Sequence, residues 1–264
     1  MWNLIKNALK IKELRTRIVF TLFLFALFRL GIFIPVPGVN RDLLKEAIAQ
    51  GGLLSLIDIF AGGGLSNFSI FALGVFPYIN ASIIIQLAGS IFPKLEELMK
   101  EGGEEGRRKI AVWTKYLTFF LALIEASALL ITFTNQGYVT AKGILSQATI
   151  IFTLIAGTYV LYWLGEIITE KGIGNGVSLI IFAGVISRIP VGISEIVRLY
   201  GKTGGVTLTQ IIITVVGLLL ILLAILYLYQ SERRIPVQYA KRIVGRKMYG
   251  GQSTFIPIRL IQSG

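Results

Sequence analysis

The sequence predicts an all-α integral membrane protein of six transmembrane helices, with one short apolar helix that cannot cross and a β-hairpin near the C-terminal end. Three observations predict it. Hydrophobic residues make up 54% of the 264 residues and charged ones only 15%, whereas a soluble domain carries nearer 25% charge; mean hydropathy is +0.74. Apolar runs recur along the chain, each close to the roughly 20 residues that a bilayer span needs. The Lys and Arg residues crowd into alternate connections, as the positive-inside rule requires of a multi-pass protein.

Taken in order, residues 1–17 hold Lys6, Lys10, Lys12, Arg15 and Arg17 and form a cytoplasmic segment. The first span, Ile18 to Pro35, is long and has no small-residue cleavage site after it, so it reads as a retained span and not a signal peptide. The stretch "LLSLIDIFAGGGLSNFSIF", Leu53 to Phe71, is a short apolar helix, three glycines and the start of a further apolar run. Span two is expected over Ile70 to Phe92, with Pro77 loosening it internally. The Gly-rich, mixed-charge "KLEELMKEGGEEGRRKIAVW" reads as a solvated connection, followed by spans at Val112 to Phe133 and Ile144 to Leu164. Gly172, Gly174 and Gly176 form a tight turn that starts span five, Val177 to Val197; no strand precedes them and no Lys-Ser/Thr follows, which argues against a phosphate cradle. Arg188, Pro190 and Glu195 sit in the second half of that span, where a tilt or break is expected. Span six covers Thr207 to Tyr229. The basic residues after spans two, four and six put the N-terminus in the cytoplasm and the short helix outside.

The tail then changes period. "RIPVQYA" and "STFIPIRL" approximate strand alternation and the Gly-containing "VGRKMYGGQ" between them is turn-rich, so a β-hairpin is expected. Its positive charge has two readings that the residues leave open: anchoring on the cytoplasmic side, or contact with RNA phosphates or an acidic protein face.

Catalytic chemistry has few parts to work with. The chain has neither cysteine nor histidine, which removes thiol nucleophiles, thiolate sites and the commonest general base. Asp occurs only at 42 and 58, outside the spans, so an intramembrane protease lacks its residues; no cofactor is expected. Glu125 in span three suggests a proton relay, but no second deep acid accompanies it, and an interhelical hydrogen bond is the simpler reading. Asn80, Ser82 and Gln86 in span two are expected to bond across helices, and Arg29 to snorkel toward the outer interface.

Five stretches, "FRLGIFIPVPGV", "FALGVFPYINASIIIQL", "EGRRKIAVWTKY", "EKGIGNGVSLIIFAG" and "ERRIPVQYAKR", resemble the SecY family of protein-conducting channels, in order and across the whole chain. The resemblance implies a fold of two inverted five-helix halves around a pore. On it, 1–17 is the cytoplasmic segment, 18–198 the first half, 199–230 helix six and 231–264 a cytoplasmic hairpin loop. The chain would stop where helix seven begins, so a C-terminal half with helices seven to ten becomes an expected partner.

The resemblance also implies roles. Ile79 and Ile83 in span two and Val177 and Ile181 in span five match the aliphatic pore ring, with Val177 at a position that is usually isoleucine. Spacing alone shows only that each i, i+4 pair shares a helix face, which is common in membrane helices. Residues 53–65 match the plug, with Leu53, Leu54, Ile57, Phe60 and Leu65 as its apolar contacts and Gly62, Gly63 and Gly64 as its hinge to span two; composition alone leaves an interfacial helix open. Burial of Leu54, Ile57 and Phe60 would contribute at most about 1.5 to 3 kcal/mol each, weak enough for a substrate to displace. Asn80 and Gln86 match the lateral gate that opens to membrane lipid. Arg233, Arg234, Lys241, Arg242, Arg246 and Lys247 match the loop that docks the motor ATPase SecA or the ribosome and its rRNA. SecE, SecG and a nascent or secretory polypeptide complete the implied partners, in a bacterial cytoplasmic membrane. A small-solute transporter, the competing reading, should show polar clusters at broken helices, whereas the candidate constriction here is aliphatic.

Overall fold

The computed structural model describes residues 10–140, 143–201, 205–237, 242–244, 247–249 and 254–259. Two compact units divide the chain, Met1–Gly192 and Ile193–Gly264.

In the first unit, α1 (Lys12–Ile32) buries Thr21, Leu24, Phe28, Gly31 and Ile32, a stripe at helical spacing. After it the chain runs through turns and two isolated bridge positions and bonds in two directions: Val36 N–H donates to Phe68 O (2.8 Å), and Asn40 N–H to Tyr138 O (2.8 Å). The Asn40 side chain caps α2 (Arg41–Ala49) by accepting from the Asp42 and Leu43 amides. Next comes α3 (Leu53–Phe60), only eight residues long.

Residues 61–75 are the main departure from the expected spans. The apolar run from Ile70 reads as helix, but it folds as successive turns and is largely buried; α4 begins only at Phe76 and runs to Ile91. The turns persist because other backbone groups satisfy theirs: Ile70 N–H donates to Ile34 O (3.0 Å) and Phe68 O accepts from Val36. Phe68 holds a positive φ of 41°, an uncommon state for an aromatic residue, and its ring is fully buried against Phe133 at 5.8 Å between centroids. Pro77 therefore lies in the first turn of α4, where its missing N–H costs no bond; it does not loosen a helix interior.

The expected solvated connection is also largely helical. The chain bends by 108° after α4 into α5 (Pro93–Lys100), held by a surface pair of Glu96 and Lys100 at 2.6 Å, and α6 (Gly103–Asn135) starts nine residues before the apolar run. The connection stays largely exposed; glycine and charge lower apolar periodicity without forbidding helix. α7 (Ile144–Lys171) and α8 (Gly176–Leu199) follow, and α8 passes through Pro190 unbroken.

One core cluster joins Val36, Leu44, Leu65, Phe68, Leu130, Phe133, Ile150 and Leu154; a second joins Leu24, Phe28, Ile32, Phe71, Val75, Leu161, Ile168 and Ile180. Both are centred on the turned segment, which supplies Leu65, Phe68, Phe71 and Val75. Close approach is bought with small residues: a Cβ on Gly157 of α7 would overlap the Ile70 carbonyl oxygen.

In the second unit, α9 (Leu208–Gln230) starts with a capping box between Thr207 and Gln210 and has no buried residue among those described. A helix apolar on every side and uncovered suits a lipid or partner surface. β1 (Glu232–Val237) pairs antiparallel with β4 (Thr254–Arg259), from Glu232 opposite Arg259 to Val237 opposite Thr254. The expected turn between them holds an inner hairpin, β2 (Arg242–Val244) with β3 (Lys247–Tyr249).

Among the described residues four helices, α6 to α9, are long and apolar enough to cross a membrane, or five if α4 and α5 are one bent span. α1, the remaining expected span, is 21 residues long but carries charges at both ends.

Candidate functional site

The end of α3 is built more tightly than its composition suggests. Gly62 N–H donates to Ile59 O (3.1 Å) and Gly63 N–H to Asp58 O (2.9 Å), the paired bonds of a Schellman stop. Gly62 and Gly63 hold φ of 64° and 93°, which any side chain would resist. Gly64 has a different reason: a Cβ there would lie 2.7 Å from Phe71 O. These glycines thus end α3 and start the turned segment; they do not lead directly into α4, twelve residues further on at Phe76.

Polar contacts then fix this end to two long helices. Asp58 is 2% exposed; its Oδ1 accepts from the Ser66 amide at 2.7 Å, and its carboxylate is ion-paired with Arg188 of α8. Arg188 also donates to Ser66 Oγ (2.9 Å). Arg29 of α1 donates to Gly62 O (2.8 Å) and Ser187 Oγ (2.9 Å), so it is engaged inside the fold and does not snorkel. Its members lie in α1, α3, the turned segment and α8, far apart in sequence, so no local pattern brings them together.

Of the apolar plug contacts, Leu54 and Ile57 pack against the first core cluster and Leu65 is fully buried in it. Phe60 departs from expectation: it is 48% exposed, and its ring meets the Phe76 ring edge-on at 5.9 Å between centroids. Among the described side chains of α3 the Asp58 carboxylate is the most buried, which the partners found here make possible. Leu53 is the first residue of α3.

Of the ring candidates, Ile79, Val177 and Ile181 all pack partly buried against the second core cluster, while Ile83, one turn along α4, is 48% exposed and outside it. Val177, Ile181, Gly184 and Arg188 follow i, i+4, i+7, i+11 and form one stripe of α8. At Gly184 a Cβ would lie 3.1 Å from Phe60 O and 3.3 Å from Gly62 N, so the glycine lets the end of α3 press on α8.

The polar residues of α4 divide. Asn80 donates to Glu125 of α6 at 2.9 Å, the interhelical bond expected of that acid; fully buried Ala81, Ala122 and Ala126 let the two helices approach. Gln86 bonds instead to Ser82 of its own helix (3.2 Å) and stays exposed. Asn80→Ala and Glu125→Ala should each cost about 0.6 to 1.7 kcal/mol, with the double variant costing no more than the larger single loss. Thermal unfolding of the three in detergent measures it, and additive losses would show that the two side chains do not act together.

Tyr78, Tyr162, Trp163, Glu166, Asn175 and Val177 line an open cleft of about 560 Å³, in which Tyr162 donates to Glu166 and its ring lies 4.8 Å from that of Tyr78. Among the described residues no group of His, Cys, Asp and Glu gathers to hold a metal. Of the docking candidates, Arg233 is exposed on β1 and Arg234 shares that strand, Arg242 opens β2 and Lys247 opens β3; Lys241 and Arg246 lie outside the described residues.

A set of apolar membrane helices, with a short capped helix and a buried turned segment tied between them, is the fold of the protein-conducting channels. The chain superposes on a solved protein-conducting channel with a TM-score of 0.59 at 22% identity, over 94% of this chain and 54% of that one. It matches, with a TM-score of 0.58 and 23% identity over 94% of this chain and 53% of the other, a SecY structure in which the plug domain stabilises the closed state and maintains a membrane seal. The canine Sec61 channel of a ribosome-channel complex gives 0.57 at 21% identity, over 86% of this chain and 51% of that one. In sequence, the SecY family model matches residues 69–264. The protein translocase subunit SecY of Thermotoga maritima is 44% identical over 100% of this chain and 62% of its own length, and that of Thermus thermophilus is 44% identical over 98% and 60%. The chain belongs to the SecY family, and it spans about 60% of the length of these curated relatives.

Proposed function

We propose that this chain forms the first half, and part of the second, of a channel that moves secretory polypeptides across the bacterial cytoplasmic membrane and releases transmembrane segments sideways into lipid. Its N-terminus is cytoplasmic, and a C-terminal half supplies helices seven to ten. SecE and SecG are the companion subunits; SecA or a translating ribosome drives transport and docks on Arg233, Arg234, Lys241, Arg242, Arg246 and Lys247. The observation that carries this reading is the stripe on α8, where two aliphatic residues and the contacts to α3 share one helix face.

Ile79, Ile83, Val177 and Ile181 form the constriction, which blocks ions because an apolar neck sheds water. Residues 53–65 are its displaceable plug, with Leu53, Leu54, Ile57, Phe60 and Leu65 as its apolar side chains and Gly62, Gly63 and Gly64 as the turn on which it swings. Irregular backbone such as 61–75 is tolerated at membrane depth where protein surrounds it. Asn80 and Gln86 lie on span two, which forms one side of the lateral gate, and the exposed Gln86 is the better placed to tune how readily that seam parts.

The test is a stalled secretory chain carrying a photocrosslinker, engaged in the complete complex. Labelling of Ile79, Ile83 and Ile181 is the expected result. Labelling confined to the cytoplasmic hairpin would overturn the assignment.

A further inference from the structure

We infer that Arg188 is the positioning residue of the plug: its ion pair with Asp58, supported by Arg29 on the Gly62 carbonyl, holds α3 in its closed seat on α8. The inference rests on the channel reading and adds to it the residues that set how readily the plug leaves.

Four observations carry it. Asp58 is the one ionisable residue of α3 and is 2% exposed, although at least three apolar side chains of that helix, Leu56, Ile59 and Phe60, are exposed. Arg188 reaches it from α8 while also donating to Ser66 Oγ at 2.9 Å. A Cβ on Gly63 would lie 3.1 Å from the Arg188 guanidinium, so the turn after α3 lies against that group. From the other side, Arg29 joins Gly62 O to Ser187 Oγ (2.9 Å), and Ser187 donates to Gly184 O (2.6 Å). Cations from two helices thus close on one short segment.

Chemistry explains why such a pair positions instead of merely gluing. Apolar contacts would let α3 slide, because area burial has no direction, whereas a buried carboxylate is satisfied in one place only. Desolvation offsets most of the attraction between the two ions. The seat is therefore well defined without being strong, and a displaced Asp58 regains its hydration in a water-filled vestibule. Arg188 and Ile181 are two turns apart on the same stripe, so a movement of α8 that widens the constriction also carries Arg188 away from Asp58.

The chain has no cysteine, so Ser55→Cys on α3 gives a single reporter on this chain in the complete complex, with the other subunits free of accessible thiols. Asp58→Asn and Arg188→Gln should each raise its rate of labelling by a membrane-impermeant maleimide about tenfold or more, since each leaves a buried partner unpaired. The double variant should be no faster than the faster single one. Arg188→Lys, which keeps the charge and is the safest to fold, should lie between wild type and Arg188→Gln. Rates within twofold of wild type in the single variants, or a double variant equal to the product of the two, would overturn the inference. Resting ion conductance is recorded on the same proteins. Faster labelling without added conductance would leave the seat standing and count against the sealing role; no change in labelling would remove the seat whatever the conductance.

Discussion

Gly157→Ala should lower the melting temperature of the purified chain in detergent by roughly 10 °C, equivalent to about 3 kcal/mol at this size. A Cβ at this position of α7 would overlap the carbonyl oxygen of Ile70 and lie 3.5 Å from the Phe71 ring. Overpacking is tolerated where a flexible side chain can yield, but here the obstacle is backbone. Ile70 cannot retreat freely, because its own N–H is bonded to Ile34 O at 3.0 Å. Its neighbours Phe68 and Phe71 sit in the two core clusters, so a shift of the turned segment disturbs both. Gly217→Ala is the control: a Cβ at that position of α9 meets nothing within 4 Å, and its melting temperature should match or exceed wild type. Equal melting of Gly157→Ala and wild type would mean that the segment does not rest on α7.

On the plug reading, replacing α3, Leu53–Phe60, by a short Gly-Ser linker should leave translocation intact and turn a silent resting channel into one with steady ion current. The replacement keeps Leu65, which is fully buried in the core cluster with Phe68 and Phe133; removal of the whole 53–65 stretch would confound lost sealing with lost packing. It also removes Asp58 and so leaves Arg188 and the Ser66 amide without their shared acceptor. Planar-bilayer recording of the complete complex at rest is the measurement. A resting conductance equal to wild type would mean that α3 is an interfacial helix, the other reading its composition allows.

Sequence and structure divided the work unevenly. α7, α8 and α9 lie close to the apolar runs that announced them, because twenty or so consecutive apolar residues in a bilayer have few options other than helix. The β1–β4 pairing was legible from alternation, although both strands carry proline, Pro236 and Pro257; a two-stranded ribbon has free edges where proline is tolerated. By contrast, Ile70 to Val75 are as apolar as any span and yet are turned. Hydropathy reports burial and not conformation, and here the Ile70 N–H finds its partner in Ile34 O, more than thirty positions away.

The candidate site shows the same division. The family match singled out Ile79, Val177 and Ile181, three side chains that pack against one cluster, along with Leu54, Ile57 and Leu65, which pack against the other. It gave Phe60 more burial than it has and no weight to Asp58, Arg29 or Arg188. One signal was available: Arg188 falls on the Val177–Ile181–Gly184 stripe, and a charge on an otherwise apolar face asks for a partner.

By itself the sequence determined that this protein lives in a membrane, where its long helices run and which family it resembles, because those follow from local composition and from motifs read in order. Only the tertiary structure decided that an apolar segment would be turned and that the Asp58 carboxylate would be buried against Arg188. Each of those depends on hydrogen-bond and charge partners that are distant in sequence, and no local pattern encodes which distant group arrives.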